Sequence, residues 1–492
     1  MKSYLVLLCI VVSATLASGQ LAVAREATSK NSQSSAFDSN NKASVKLIAS
    51  AKAKRAKGDT KGAIAVLNEL IRQQPSNDLA YFWRAIYRSE AGDHKGSIED
   101  NSMTIQLAPS HFGAYHNRAF ELSKVNKDKA AVADYTRAIE LKPSSRDSYY
   151  GRGFSRELVG DKAGAIADYT KIIELDPKYR YAYWRRGDLY VCFNNREKAD
   201  NDYDYMVARY PKDKWSYAYR GYGKAKFGDD KAAVADLTKA IELGLADSIC
   251  YSNRANSRKR LGDLKGAVAD YTQEMLLEPR NALTYCRRGE LLQDLGDKAG
   301  ALADFNWAIV IDPHCAEAYD GKGMLKSEAG DRGGAIAEFS KGISVDPSSI
   351  YCFADRAFEK MRLRDHRGAL VDLEQLVKLQ PMRASSYNIR GFCKRRLCDR
   401  TGALKDYDRS INMGLEAGVG FYNRAICRSE LGDSKGAASD YKEACRLDPE
   451  FAKKKLPGPI KVGFAATIEE ITMSLEKAIA EIRNDLMRSV RH

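Results

Sequence analysis

The sequence predicts an all-α solenoid of about twelve helix-turn-helix units, and three observations with one period predict it. Every thirty-fourth residue from Gly58 opens the same turn: Gly58, Gly92, Asn126, Gly160, Asn194, Gly228, Gly262, Gly296, Gly330, Arg364, Cys398 and Gly432. A second series, from Ala63 and Ser97 through Ala131 to Ala437, is eleven alanines and one serine. Ten of the twelve prolines fall on the same lattice, from Pro75 to Pro449. A fixed period of this length with no insertion or deletion marks small helical units that bury their apolar faces only by stacking.

The chain opens with Lys2 and then Tyr4 to Leu16, which is free of charge, followed by Ala17-Ser18-Gly19. That pattern is expected of a secretory signal peptide over 1–24, with cleavage after Gly19 or after Ala24. The alternative is an uncleaved anchor, because Ser3 to Ala24 carries no charge and is long enough for a bilayer core of about 30 Å. The expected location is therefore the bacterial periplasm or the exterior, with an inner-membrane anchored form as the alternative. The chain contains no N-x-Ser/Thr sequon, which suits a bacterial envelope protein better than a eukaryotic secreted one. Residues 25–43 are polar, rich in Ser and Asn, and expected to form a disordered tether.

Twelve repeats then fill 44–451, with Ser44 at position 1 of the first. The turn near position 15 and the proline at position 32 divide each into two antiparallel helices, since glycine there and proline at the end are boundary residues. Position 4 is aromatic from Tyr81 to Phe421, with Leu47 in the first repeat. Position 8 is always Gly or Ala and position 20 is the alanine series, so the two helices are expected to approach closely there. A mid-helix glycine costs about 1 kcal/mol against alanine, which close packing must offset.

Tyr149, Gly153, Ala165, Tyr169 and Pro177 reproduce a large aromatic, a small residue, alanine, an aromatic and proline at the spacing of the tetratricopeptide repeat, which the chain resembles over 44–451. The resemblance implies a right-handed superhelical solenoid that binds protein partners and needs no cofactor. Two positions depart from the family pattern: position 7 is basic where leucine is usual, and position 11 is mostly Lys or Arg where tyrosine is usual.

Both departures need partners, and the repeats supply one. Arg at position 7 coincides with Asp at position 23 in ten repeats: Arg84 with Asp100, Arg118 with Asp134, Arg152 with Asp168, Arg186 with Asp202, Arg220 with Asp236, Arg254 with Asp270, Arg288 with Asp304, Arg356 with Asp372, Arg390 with Asp406 and Arg424 with Asp440. Lys322 has Glu338 in its own repeat, while the first repeat has Ser50 and Val66 and lacks both charges. Positions 7 and 23 are equally distant from the turn, so a structural ion-pair ladder within each repeat is expected. Desolvation offsets much of the attraction in such pairs, so their role is register more than stability. Solvation of the two charges on separate faces is the alternative.

The resemblance also implies that positions 2, 5 and 9 of the first helices point into a concave groove. There the chain carries Leu79, Phe82 and Ile86, then His116 and Phe120, Tyr150 and Phe154, Tyr181 and Trp184, and Trp215 and Tyr222. Later repeats turn polar or basic with Asn256, Lys259 and Arg260, and then Phe392, Arg395 and Arg396. Such a surface suits an extended peptide or protein segment with apolar anchors and an acidic stretch. A cell-wall glycan or anionic polymer stacked on Tyr150, Trp184 and Trp215 is the alternative ligand. Packing of these rings between neighbouring repeats is the competing structural role.

Net charge is +14 and spread through the repeats, which favours anionic partners. No nucleic-acid-binding motif is present, and membrane contact is expected only if the N-terminal segment stays uncleaved. Catalytic signatures are absent: the six histidines are scattered, there is no HExxH, no zinc-spaced cysteine pair and no GxxxxGK[ST]. Gly58 to Gly62 resembles a phosphate loop only superficially, since the same turn recurs as a helix connector. No catalytic residue, metal or cofactor is expected, and the chain reads as a non-enzymatic scaffold.

Nine of ten cysteines lie between Cys192 and Cys445, most expected to be small core residues. Cys393 and Cys427, both at position 10 of adjacent repeats, are the pair to test for a disulfide. Residues 452–492 carry eight basic and five acidic groups. After this basic linker, Thr467 and Glu470 form a capping box, and Ile468, Ile471, Leu475, Ile479, Ile482 and Leu486 make one apolar stripe. The stripe is expected to cap the last repeat, with self-association or a membrane surface as alternatives.

Overall fold

The computed structural model describes residues 38–414 and 418–453, and within them the chain is helical throughout, with no strand. Twenty-four α-helices run from α1 (Asp38–Ala56) to α24 (Ser434–Leu447), two to each repeat, followed by a short 3₁₀ turn at Pro449–Lys453. Neighbouring helices pack in order along the chain, as a solenoid requires. The backbone divides into two compact units, one ending at Phe227 and the other starting at Gly228, so the boundary falls in the turn of the sixth repeat.

Local chemistry sets the helix ends. Every position 15 has left-handed backbone, including the non-glycine residues Asn126, Asn194, Arg364 and Cys398 at φ of 58°, 53°, 64° and 66°. Non-glycine residues resist that region, and asparagine tolerates it better than arginine or cysteine. The next residue, usually Asp, caps the second helix: the Gly62 N–H donates to Asp59 at 2.8 Å, and the same bond recurs from Gly96 to Asp93 and from Gly436 to Asp433. In the third repeat Lys127 holds the cap position and makes no side-chain cap.

The core of most repeats is a large side chain at position 24 lying across the small residue at position 8, with Asn101 in that place in the second repeat. Tyr135, Tyr169, Tyr203, Tyr271, Phe305, Phe339 and Tyr407 are fully buried there. A Cβ added to Gly187 would sit 2.8 Å from the Tyr203 ring, and one added to Gly391 would sit 2.9 Å from Tyr407. The ring itself therefore forbids a larger residue at position 8.

The first helix starts at Asp38, so the tether expected over 25–43 gives way to helix for its last six residues. Extending an existing helix by a turn fixes few dihedrals per hydrogen bond, so polarity alone does not stop it. The signal segment at 1–24, the rest of the tether, and the linker and terminal helix beyond 453 lie outside the described residues. Among the described residues no helix is long and apolar enough to cross a membrane.

Candidate functional site

Two layers of side chains cover the first helices: an ionic layer at positions 7 and 23, and the residues at positions 2, 5 and 9. In the ionic layer nine Arg-Asp pairs close at 2.6–2.7 Å, from Arg84 with Asp100 to Arg424 with Asp440. Arg152 is representative: its Nη2 lies 2.6 Å from Asp168 Oδ1 and its Nε donates to the same carboxylate. The aspartates are nearly buried, at 2% side-chain exposure for Asp168, and the arginines are half-buried.

Eight of these nine guanidinia have a further arm. Arg152 Nη1 donates to Thr136 Oγ1 in the preceding repeat at 3.2 Å, and Arg84, Arg118, Arg186, Arg254, Arg288, Arg356 and Arg424 make the equivalent bond. Every arm spans sixteen residues backwards, so the ladder joins repeats as well as helices. The position-4 ring lies beneath most of these arginines, as Tyr149 does under Arg152 at 5.5 Å. Position 11 supplies a second cation to the same carboxylate, for example Arg156 to Asp168 at 2.8 Å and Lys394 to Asp406 at 2.8 Å. The basic residues at positions 7 and 11 thus share one anion.

The ninth repeat differs from expectation. Glu338 is taken by Lys326 at 2.9 Å and by Lys341 at 3.3 Å, and Lys322 adds only a longer-range attraction. Lysine offers a single point charge on a stem that lacks the fork of arginine, so the pairing shifts to position 11. In the sixth repeat Arg220 belongs to the first compact unit and Asp236 to the second. Within the first unit Arg220 reaches back to Asp204 at 2.8 Å.

The second layer departs more sharply from the open groove expected of it. Phe82 and His116 are fully buried, and Ile86, Phe120, Tyr150 and Trp184 are buried to within 7%. Trp184 stacks on Tyr219 of the next repeat, centroids 4.3 Å apart, and Tyr150 meets Tyr179 edge-on at 5.8 Å. His116 Nδ1 lies 2.9 Å from Ser148 Oγ, and burial lowers its pKa to about 4. These six are packing residues: the position-5 rings turn towards neighbouring side chains of the stack, and Ile86 and Phe120 at position 9 are buried with them. Phe154, Tyr181, Trp215 and Tyr222 remain half-exposed, and Leu79 is exposed at 37%. Asp188 lies beside this stack with its carboxyl pushed up to about 6 by burial, while Tyr203 donates to it at 2.6 Å.

The basic half also sorts into paired and unpaired groups. Lys259 bonds Glu290 at 3.0 Å, and Arg260 is paired with Asp230. Arg395 is held by Glu430 at 2.7 Å with its side chain 8% exposed. Those three are occupied within the chain. Arg396 forms no ion pair among the described residues, nor does Arg364. Burial and the charges of Arg395 and Arg364 make the Arg396 guanidinium less basic than usual.

The tetratricopeptide repeat family model matches residues 48–111 and again 112–145, in register with the lattice that continues unbroken to 451. The chain is a tetratricopeptide repeat protein. No curated protein sequence matches it. Among solved structures it resembles a tetratricopeptide repeat protein from Parabacteroides merdae, at 18% identity over 51% of this chain and 98% of that one, with a TM-score of 0.41. Yeast Tom70 aligns at 14% identity over 84% of this chain and 99% of its own, with a TM-score of 0.44. The MamA protein aligns at 24% identity over 34% and 92%, with a TM-score of 0.33.

Tetratricopeptide repeat proteins generally act as protein-interaction scaffolds. Among the described residues of this one no group of three or more His, Cys, Asp and Glu side chains could hold a metal ion. The pairing of Cys393 with Cys427 is not made: Cys393 Sγ lies 3.2 Å from Met361 Sδ, and Cys427 Sγ donates to the Arg400 carbonyl at 3.3 Å. Residues at one position in adjacent repeats are a whole repeat apart, and each thiol finds a nearer partner.

Proposed function

We propose that this protein is an exported, non-catalytic scaffold that holds an extended protein segment carrying apolar or aromatic anchors and an acidic stretch. The observation that carries the reading is the set of half-exposed rings Phe154, Tyr181, Trp215 and Tyr222, of which Tyr181 lies against buried Trp184 and Trp215 stacks on half-buried Tyr219. A rigid aromatic surface loses little entropy when a partner lands on it, so its burial on binding is well used. The acidic stretch is favoured by Arg396, which is crowded by the like charges of Arg395 and Arg364 more than it is relieved by Glu430. Export is the reading of the charge-free N-terminal segment.

Crosslinking pull-down tests the proposal, with wild type set beside Tyr181→Ala/Trp215→Ala/Tyr222→Ala and beside Arg364→Ala/Arg396→Ala. A protein lost from the aromatic variant, and weakened by salt and by the arginine variant, is the expected result. Capture of the same proteins by all three would overturn it, and binding of envelope glycan by wild type alone would replace the peptide with a polysaccharide.

A further inference from the structure

The second compact unit contains two thiols in contact. Cys286 lies in the first helix of the eighth repeat, Ala282–Asp294, and Cys315 is the N-cap of the first helix of the ninth, Ala316–Glu328. Their sulfurs are 3.5 Å apart, and the residues are 2% and 5% exposed. The pair sits in a core lined by Phe305, Ala308, Ala318 and Leu325. The other buried thiols have different neighbours, as with Cys250 on the Leu237 carbonyl and Cys352 on the Ala316 carbonyl.

We propose that Cys286 and Cys315 are a redox modification site, closing a reversible disulfide under a peroxide oxidant and tying the eighth repeat to the start of the ninth. An S–S bond is about 2.05 Å long, so the two sulfurs must approach by about 1.5 Å, within reach of small side-chain rotations. Cys315 is the attacking group. The S–H of Cys286 and the Ala318 N–H at the helix N-terminus stabilise its thiolate, while Cys286 holds its own proton more tightly than usual. The Cys315 thiolate takes one oxygen from hydrogen peroxide, giving a sulfenic acid and hydroxide. Cys286 sulfur then attacks the sulfenic sulfur and expels that oxygen as water, its own proton leaving with it. In sum, two thiols and one peroxide give one disulfide and two waters.

The inference goes beyond the scaffold reading and does not depend on it. The test uses the reduced full-length protein treated with hydrogen peroxide, then alkylated in denaturant and digested with trypsin. The expected product joins the peptides 281–287 and 299–322 with loss of two hydrogens, and dithiothreitol restores both. Cys286→Ser should abolish the link and leave Cys315 as a sulfenic acid trapped by dimedone. Oxidised wild type should also melt at a higher temperature than reduced wild type, and Cys286→Ser should show no such rise. Full alkylation of both cysteines after peroxide, while exposed Cys192 and Cys398 are oxidised, would overturn the proposal. So would linkage of either cysteine to a different partner. The wild-type peptide map decides the matter even if the variant fails to fold.

Discussion

The two compact units share one ladder and differ in what fills position 5. In the first unit that position holds Ile48, then Phe82, His116, Tyr150 and Trp184, then Ala218, and the four rings are buried in the stack. In the second it holds Ser252, Cys286, Asp320, Ala354, Asn388 and Tyr422. Polar links stand in for rings there, such as Asn423 to Asn388 at 3.1 Å and Arg287 to Ser252 at 3.4 Å. All six cysteines buried among the described residues belong to the second unit as well. The difference teaches that the frame is the ring at position 24 over the small residue at position 8, with the ladder beside it. Position 5 is a filler that each unit solves in its own way.

The sharpest break of that comparison is Trp184→Ala. Emptying a buried tryptophan site should cost about 3–5 kcal/mol in urea unfolding, whereas Ala354→Gly at the same position in the second unit should cost about 1 kcal/mol. Equal losses would mean that position 5 matters alike in both. The ladder should respond alike in both units: Asp168→Leu or Asp304→Leu alone strands a half-buried guanidinium and should cost about 3 kcal/mol. The double variants Arg152→Leu/Asp168→Leu and Arg288→Leu/Asp304→Leu should lose less than either single one. A double variant as damaged as its single would show that register is not what the pair supplies.

Gly391→Ala puts a methyl 2.9 Å from the Tyr407 ring and 3.2 Å from the Ala403 carbonyl. It should cost about 1–3 kcal/mol by overpacking even though alanine is the better helix former. A neutral result would show that position 8 is small for some other reason.

The smallest effect is the part of the pH dependence that His116 and Asp188 contribute in the first unit. His116 has a folded pKa lowered to about 4 from 6.5, so the unfolded chain takes the proton first and stability falls as pH drops from 6.5 towards 4. Asp188 has a folded pKa raised to about 6 from 3.8. Its contribution is complete below 3.8 and is lost as pH rises through 6. The slopes oppose each other, so Asp188→Asn should lose more stability than wild type as pH falls from 6.5 towards 4. An equal loss in the variant and in wild type would refute this balance.

Much of the frame was legible because each rule recurs on one lattice. Arginine never appeared at position 7 without aspartate at 23, and that coincidence needed no coordinates. The backward arm was missed because its acceptors change identity, from Asn68 and Ser102 through Thr136 to Asp408, although all carry an oxygen. The groove was misjudged at Phe82, His116, Tyr150 and Trp184 because a period identifies a helix face and does not say whether the next repeat covers it. Those position-5 rings turn inward along the stack, whereas position 9 divides, with Ile86 and Phe120 buried and Phe154 and Tyr222 half-exposed. Of the basic half, Arg396 alone kept a free charge, because whether an arginine is answered depends on carboxylates such as Glu430, thirty-five residues from Arg395.

The backward reach of most of these guanidinia gives the array a polarity. A cut between two repeats does not leave equivalent ends. The upstream fragment keeps an acceptor at position 25 that water readily satisfies, whereas the downstream fragment begins with an arginine still clamped to its own aspartate. Trimming from the C-terminus should therefore leave every remaining arm bonded and a better-ordered end, whereas trimming from the N-terminus strips the backward acceptor from the first arginine that remains.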